Sequence, residues 1–181
     1  MAKVLVPLAP GFEEIEALTV VDILRRAGAE VTIAGTVPGP VESRNRVVVI
    51  PDTVMDNVSA DFDMIVLPGG AVGTENLKKD VRVKKVVEEL MRKGRKVTAI
   101  CAATTVLSSI GATRGRTVTS HPSVRAELTD ETVSEERVVV DGNIITSQGP
   151  GTAMEFAFKL VESLFGKAKV EEVNKVVLAR I

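Results

Sequence analysis

Aromatic residues are scarce in this chain. It has no tryptophan and no tyrosine, and only five of its 181 residues are phenylalanine. The 23 Lys and Arg residues almost balance the 24 Asp and Glu residues, so the formal net charge is -1. Nucleic acid binding relies on positive charge and, for single strands, on aromatic stacking platforms. We therefore expect no nucleic acid partner.

Cysteine and histidine occur once each, as Cys101 and His121. One thiol forms neither an internal disulfide nor a multi-thiolate zinc site, so we expect no bound metal. The longest stretch without charge, residues 97–113, is shorter than a bilayer span. The N-terminal apolar run meets Glu13 and Glu14 without a secretory cleavage site. These features predict a cytoplasmic protein that has no contact with a membrane.

Length and patterning predict one α/β domain over residues 1–181. An apolar run at residues 3–8, helical spacing over 14–27 and a second apolar run at 31–34 give a β-α-β unit. Such a unit implies parallel pairing and a right-handed crossover. Together with the buried strand patterns further along the chain, it predicts a flavodoxin-like (Rossmann-like) three-layer sandwich with helices on both faces of a mostly parallel sheet.

The remaining elements follow from apolar runs and turn residues. One amphipathic helix is expected after Pro68-Gly69-Gly70, and Asp141-Gly142-Asn143 is typical of a hairpin turn. We expect strands at 64–67, 96–100, 138–140 and 144–146, a hairpin or edge segment at 47–50, helices at 102–110 and 153–164, and a final packed segment at 168–181.

Cys101 directly follows the strand expected at residues 96–100. Ligands of open α/β sheets bind beyond the carboxyl ends of strands, and a sharp turn into a helix exposes its side chain there. A helix N-terminus lowers a thiol pKa from ~8.5 into the range ~3.5–7.5. The alternative is a small buried hydrophobe, since free cysteine is often fully buried. The position favours a reactive cysteine.

Two further side chains are candidates for proton transfer. Glu16 belongs to an acidic helix start, where carboxylates complement the helix dipole. Burial at the mouth of the sheet would instead raise its pKa and let it donate to a thiolate. His121 precedes Pro122, which disfavours a helix at this position. It is either a loop imidazole with a satisfied hydrogen bond or the base that pairs with Cys101.

Two glycine-rich loops, Pro68-Gly69-Gly70 and Gly149-Pro150-Gly151, follow predicted strands. Neither matches a dinucleotide or P-loop fingerprint, so no nucleotide cofactor is expected. Their simplest role is tight turning. Their alternative role is donation of backbone N–H groups to an oxyanion, with Gly70 and Ala102 facing one crevice.

Seven short motifs follow one another along the chain: GFEEIEA (11–17), VDILRRAG (21–28), VTIAG (31–35), VLPGG (66–70), AICAA (99–103), VTSHP (118–122) and TSQGPGTAMEFA (146–157). Together they resemble the ThiJ/PfpI superfamily, in the branch of the parkinsonism-associated deglycase and the bacterial YajL-like proteins. The resemblance covers nearly the whole chain, and several ordered motifs are more specific than any single one.

The resemblance implies a set of site residues. Cys101 would be the reactive cysteine, Glu16 its protonated hydrogen-bond partner and His121 the nearby histidine. The backbone N–H pair would come from Gly70 and Ala102. Residues of the pocket or of a homodimer interface would be Glu13, Arg26, Arg44, Gly69 and Pro150, where the spacing SRNR leaves Arg46 as an alternative to Arg44.

Two positions depart from relatives. Peptidase-like members carry histidine directly after the cysteine, where this chain has Ala102, so the protease triad is missing. The closer branch often has proline at the position of Thr104, which bears on the rim of the pocket.

The resemblance implies a cofactor-free enzyme for small reactive aldehydes, a glutathione-independent glyoxalase that turns methylglyoxal into lactate, with protein deglycation as a related activity. The alternative is a redox-sensing, chaperone-like protein whose cysteine is oxidised to sulfinate.

Overall fold

The computed structural model describes residues 1–59 and 61–181, which contain eleven strands and six α-helices. The strands are β1 (Lys3–Leu8), β2 (Glu30–Gly35), β3 (Val41–Glu42), β4 (Val48–Val49), β5 (Thr53–Val54), β6 (Met64–Leu67), β7 (Lys96–Ile100), β8 (Thr117–Val118), β9 (Thr132–Val133), β10 (Val138–Asp141) and β11 (Ile144–Ser147). The helices are α1 (Glu14–Arg26), α2 (Ala71–Lys79), α3 (Val81–Arg92), α4 (Thr104–Ile110), α5 (Ala153–Phe165) and α6 (Lys167–Val177).

The central sheet has the strand order β10-β11-β7-β6-β1-β2-β5. Every neighbouring pair is parallel except β10 and β11, which form the antiparallel hairpin expected from the Asp-Gly turn. β3 and β4 form a separate antiparallel hairpin, and β8 pairs with β9. The prediction of a mostly parallel α/β sandwich is confirmed.

Both faces of the sheet are covered, which explains its continuous apolar strands. Along β1, Val4 and Val6 point into a core shared with α1, α5 and α6. Leu5 points into the opposite core, which α2, α3 and α4 close. The alternation follows from the two-residue period of a strand.

The candidate site lies where two neighbouring strands send the chain to opposite faces. β1 leads to α1 on one face, whereas the adjacent β6 leads to α2 on the other. A crevice opens at such a switch point, beyond the carboxyl ends of the strands. The next strand, β7, ends at the same edge and delivers Cys101 there.

The helix expected after Pro68-Gly69-Gly70 is in fact two helices, α2 and α3, which meet at Asp80. The backbone of Asp80 is extended, and its carboxylate accepts the Arg82 N–H at 2.9 Å. Asp80 thus ends one helix and caps the next. The segment expected as a helix from residue 102 begins as a 3-10 turn, Cys101–Ala103.

The strands β5, β8 and β9 lie outside the sequence prediction. Each has two residues, too few for a periodic signal, and tertiary pairing alone defines them. Within the described residues, no helix has the length and apolar character needed to cross a membrane.

Replacing Asp80 with alanine tests the helix junction. Loss of the cap and of its ion pair with Arg82 should lower the free energy of unfolding by ~1–2 kcal/mol at neutral pH. Burial acts to raise the pKa of Asp80, but hydrogen bonds from Arg82 hold the pKa below its ordinary value. The stabilisation is therefore present above the ordinary pKa and is lost as pH falls through the lowered one. Urea unfolding at several pH values measures it.

The matched control is Asp80→Asn, which keeps an oxygen acceptor for the Arg82 N–H but removes the charge. It should retain part of the stability. Equal stability of Asp80→Ala and the wild type would contradict the capping role.

Candidate active site

Cys101 stands at a strained turn between β7 and α4. Its φ angle is +64°, in the left-handed region that residues other than glycine rarely adopt. The residue is 9% exposed and lines a cavity. The strand-turn-helix position expected for this residue is confirmed.

Glu16 is fully buried in the first turn of α1. One carboxyl oxygen, Oε2, accepts the Gly69 N–H at 2.8 Å. The Glu16 N–H donates to the Glu13 carboxylate, also at 2.8 Å, so Glu13 caps the helix and holds its start. The other oxygen, Oε1, has no fully formed hydrogen bond, but the Cys101 thiol is near enough for each group to shift the pKa of the other.

Glycine is required at both positions after β6. A Cβ atom on Gly69 would lie 2.6 Å from Glu16 Oε2 and 2.7 Å from the Cys101 Cβ. Gly70 has a φ of +91°, and a Cβ there would lie 2.5 Å from the carbonyl oxygen of Gly11. The close approach brings the Gly69 N–H to the carboxyl and the Gly70 N–H to the sulfur, which the Ala102 N–H also contacts.

The pKa values of the two acids move in the same direction. Burial raises the pKa of Glu16 to about 7, against the opposing effects of the Cys101 contact and the Gly69 N–H. Burial, and then the charge of Glu16, raise the pKa of Cys101 to about 12, although the N–H groups of Ala102 and Gly70 act to lower it. The acidified thiol expected from the helix N-terminus is therefore not found beside an ionised Glu16.

The two groups titrate as one system. Between pH values of about 7 and about 12 the pair has lost one of its two protons. A single proton and a single negative charge are then shared by the carboxyl and the thiol, because two adjacent buried acids resist double ionisation. The charge resides either on a carboxylate that accepts from Gly69 or on a thiolate that accepts from Gly70 and Ala102.

The surrounding cavity has a volume of about 300 Å³, at the small end for ligand sites. Eight of the residues expected from the sequence line it: Glu13, Glu16, Arg44, Gly70, Cys101, Ala102, His121 and Pro150. Gly69 lies behind the Glu16 carboxyl. A larger cavity of about 580 Å³ between β10, α5 and α6 contains neither the cysteine nor the histidine, so we place the site at Cys101.

Arg26 is not brought into this cavity. It lies in the last turn of α1, at the end of the helix away from Glu16, and pairs with Asp22 at 2.7 Å. Of the two arginines in SRNR, Arg44 lines the cavity, and its N–H donates to the carbonyl of Phe12. The homodimer, and any place of Arg26 in its interface, remain predictions.

His121 is exposed on the cavity wall. Its backbone N–H donates to the backbone carbonyl of Cys101 at 3.3 Å, and this hydrogen bond joins the two loops. The ring Nδ1 lies 2.7 Å from the Ser123 hydroxyl and accepts the Ser123 N–H at 3.3 Å. This contact favours the tautomer with its proton on Nε2.

Sequence reasoning missed the outer wall. Thr74 and Lys78 are four residues apart on α2 and share a face, a spacing that was available as a signal. Glu127 ends the 3-10 helix Pro122–Glu127, 49 positions further along the chain, and no local pattern places it beside Lys78. The buried Thr74 hydroxyl has no hydrogen-bond partner in the described part of the chain. Thr104 donates to the carbonyl of Thr119 beneath the rim instead of lining it.

The described residues offer no cluster of metal ligands. Among residues 1–59 and 61–181, no group of three or more His, Cys, Asp or Glu side chains is arranged to hold a metal ion.

Comparisons with known proteins cover nearly the whole chain. The DJ-1/PfpI family matches residues 2–163. The protein dj-1beta of Drosophila melanogaster is 45% identical, over 94% of each chain, and its crystal structure superposes with a TM-score of 0.96 over 99% of each chain at 42% identity. The Caenorhabditis elegans protein named glutathione-independent glyoxalase DJR-1.2 is 36% identical over 90% of this chain and 88% of its own. A Toxoplasma gondii structure described as oxidized DJ-1 has a TM-score of 0.96 at 34% identity over all of both chains.

Replacing Glu16 with glutamine should stabilise the protein above neutral pH. The folded protein binds the Glu16 proton more tightly than the unfolded chain does, so ionisation between the ordinary pKa of 4.5 and about 7 costs folding free energy. The cost should reach ~3 kcal/mol at ~1.36 kcal/mol per pKa unit. Urea unfolding should therefore show Glu16→Gln as the more stable protein at pH 8, with the difference vanishing near pH 4.5.

The exposed Glu171→Gln variant serves as the control and should show no such trend. A stability difference for Glu16→Gln that is the same at both pH values would contradict the raised pKa.

Thiolate absorbance near 240 nm tests where the shared proton lies. We expect the wild-type thiol to stay largely protonated through neutral pH, with thiolate appearing towards a pKa of about 12, because the proton lost at about 7 leaves the charge mainly on Glu16. In Glu16→Leu the thiol has no carboxyl to share with, and burial alone should keep its pKa above the ordinary ~8.5. Identical titrations of the two proteins would show that Glu16 and Cys101 are not coupled.

Proposed function

We propose, since the chain belongs to the DJ-1/PfpI family and its cavity sets one cysteine against a buried carboxyl, that this protein is a cofactor-independent glyoxalase. It would convert methylglyoxal to lactate without glutathione. The family resemblance of the sequence motifs is confirmed by the match over residues 2–163. The similarity to a nematode protein named as such a glyoxalase supports the reaction.

The observation that carries the proposal is the buried Glu16 carboxyl beside the buried Cys101 thiol. In the tautomer with a thiolate, the sulfur is a nucleophile and the adjacent protonated carboxyl is the general acid, with a pKa of about 7 once the sulfur is neutral. The backbone N–H groups of Gly70 and Ala102 stabilise the negative sulfur. One small cavity thus holds a nucleophile and an acid without any further group.

The first step is addition to the aldehyde. The Cys101 sulfur forms a bond to the aldehyde carbon, the carbonyl π electrons move to oxygen, and this oxygen takes the proton of Glu16. The product is a hemithioacetal, and Glu16 becomes a carboxylate that now acts as a base.

The second step moves a proton between the two carbons. Glu16 removes the C–H proton of the former aldehyde carbon, and the neighbouring ketone oxygen takes up the negative charge to give an enediolate. Glu16 returns the proton to the neighbouring carbon, the proton of the first hydroxyl passes to the second oxygen, and a lactoyl thioester of Cys101 results. Water then attacks the thioester and gives a proton to Glu16, the C–S bond breaks with Cys101 leaving as the thiolate, and lactic acid is released and ionises to lactate. His121, on the cavity wall, would orient this water through Nε2.

Oxidation of the same sulfur is the second candidate. The close structural match to a relative described as oxidized favours it, and the N–H groups of Gly70 and Ala102 would also accommodate a sulfinate. In this case peroxide supplies the oxygen atoms, and the protein acts as a sensor instead of an enzyme.

Lactate formation from methylglyoxal by the purified protein, without glutathione, tests the proposal. Cys101→Ser should abolish it, and Glu16→Gln should lower kcat by ~10²–10⁴-fold because the proton carrier is lost. The wild-type kcat/KM should rise with pH through about 7, as the pair loses its first proton.

Glu88→Gln, on the exposed face of α3, is the matched control and should keep full activity. Turnover by Cys101→Ser at the wild-type rate would overturn the mechanism. Absence of lactate together with clean conversion of Cys101 to sulfinate by one to two equivalents of peroxide would favour the sensor.

A further inference from the structure

The cavity at Cys101 is lined by more acidic than basic side chains. The carboxyl groups are those of Glu13, Glu16, Glu75 and Glu127, and the cations are those of Arg44 and Lys78. The balance stays negative even when Glu16 and Cys101 both hold their protons, because three glutamates still face two cations.

At the rim, one cation is held between two carboxylates. The Lys78 ammonium lies 3.0 Å from the Glu75 carboxylate and 3.0 Å from the Glu127 carboxylate. The Lys78 side chain is 19% exposed, whereas the glutamates are 57% and 54% exposed. A ligand that enters from solvent therefore meets the two carboxylates before the amine, and the amine is already neutralised.

At the inner end of the cavity, near Cys101, the positive charge of Arg44 does not exceed the negative charge around it. Glu13 is buried and faces Glu16, whose pKa it acts to raise, and Arg44 acts on the same carboxyl in the opposite direction. Arg44 is exposed to water and offsets one of these charges. The negative charge shared by Glu16 and Cys101 remains at the place where a substrate must react.

We infer that the glutamates of the rim, Glu75 and Glu127, are specificity-determining residues that admit neutral and cationic carbonyl compounds and reject anionic ones such as 2-oxo acids. The inference deepens the proposed function, on which its substrate statement rests. Like charges repel most strongly in a small cavity with protein walls, where the field is less screened than in water. The anion 4,5-dioxopentanoate and its neutral methyl ester carry the same 2-oxoaldehyde group and are similar in size, so charge is the main difference between them at this site.

Alkylthiolation of Cys101 tests charge selection without any turnover. Three methanethiosulfonates of similar size are compared, one with a trimethylammonium group, one neutral and one with a sulfonate group. For each reagent, the rate of reaction with Cys101 is divided by the rate at which the same reagent reacts with 2-mercaptoethanol, an uncharged thiol. The intrinsic reactivity of the reagent then cancels. The sulfonate reagent should be disfavoured against the ammonium reagent by tenfold or more, and salt near 0.5 M should shrink this ratio.

Glu75→Gln/Glu127→Gln removes both carboxylates and leaves Lys78 unpaired at the rim. The preference for the ammonium reagent over the sulfonate reagent should fall about tenfold or reverse. The control, Glu88→Gln/Glu172→Gln, makes the same change in net charge at two exposed sites that do not line the cavity and should leave the ratio as in wild type. Equal relative rates for the three reagents, or the same ratio in both double variants, would overturn the inference.

Steady-state kinetics of aldehyde turnover provide a second test. Wild type should prefer methyl 4,5-dioxopentanoate, a neutral 2-oxoaldehyde, to the anionic 4,5-dioxopentanoate in kcat/KM, and the rim variant should narrow that preference. If neither aldehyde reacts but the reagent ratios behave as stated, the glyoxalase proposal fails and charge selection stands. If methylglyoxal reacts but the reagent ratios are flat, charge selection fails and the glyoxalase proposal stands.

Discussion

A buried carboxyl against a buried thiol is the constraint on which the rest of this structure depends. Glu16 arrives on the helix after β1, Gly69 on the loop after β6, and Cys101 on the turn after β7. These strands are neighbours in the sheet, and all three end at one edge. Two glycines and one residue with positive φ are needed so that the three segments can meet within hydrogen-bonding reach. The parallel sheet therefore matters to function mainly because it brings these three loops together.

Such a site is costly to fold. A residue other than glycine with positive φ and a carboxyl with a raised pKa both oppose folding, and they are tolerated because the surrounding structure determines their positions. The two cores on either face of the sheet provide the compensating burial of apolar surface. Function and stability pull in opposite directions at Glu16, since the charge that makes the pair reactive is also the charge that burial disfavours.

The sequence was informative where the signal was local. Apolar runs located β1, β6 and β7, and the place of Cys101 directly after a strand located the turn. The ionisation of the thiol was not predictable from a helix N-terminus alone, because burial and a carboxyl from another helix outweigh two N–H groups. The partnership of Lys78 with Glu127 depends on a loop folding back over 49 positions, and no local pattern encodes it. The break between α2 and α3 at Asp80 is hard to predict because charged residues continue on both sides of it.

The proton shared by Glu16 and Cys101 also explains why a neutral substrate suits this cavity. In the proposed addition step the sulfur loses its negative charge as it bonds to carbon, and Glu16 gains one as it protonates the carbonyl oxygen to give the new hydroxyl. The charge of the buried volume is the same before and after, and the proton travels only between adjacent groups. An anionic aldehyde would bring a second negative charge into that volume before any bond formed, and neither Arg44, exposed to water, nor Lys78, held by two carboxylates, is placed to offset it. The acidic rim and the single-charge chemistry therefore exclude the same class of molecule.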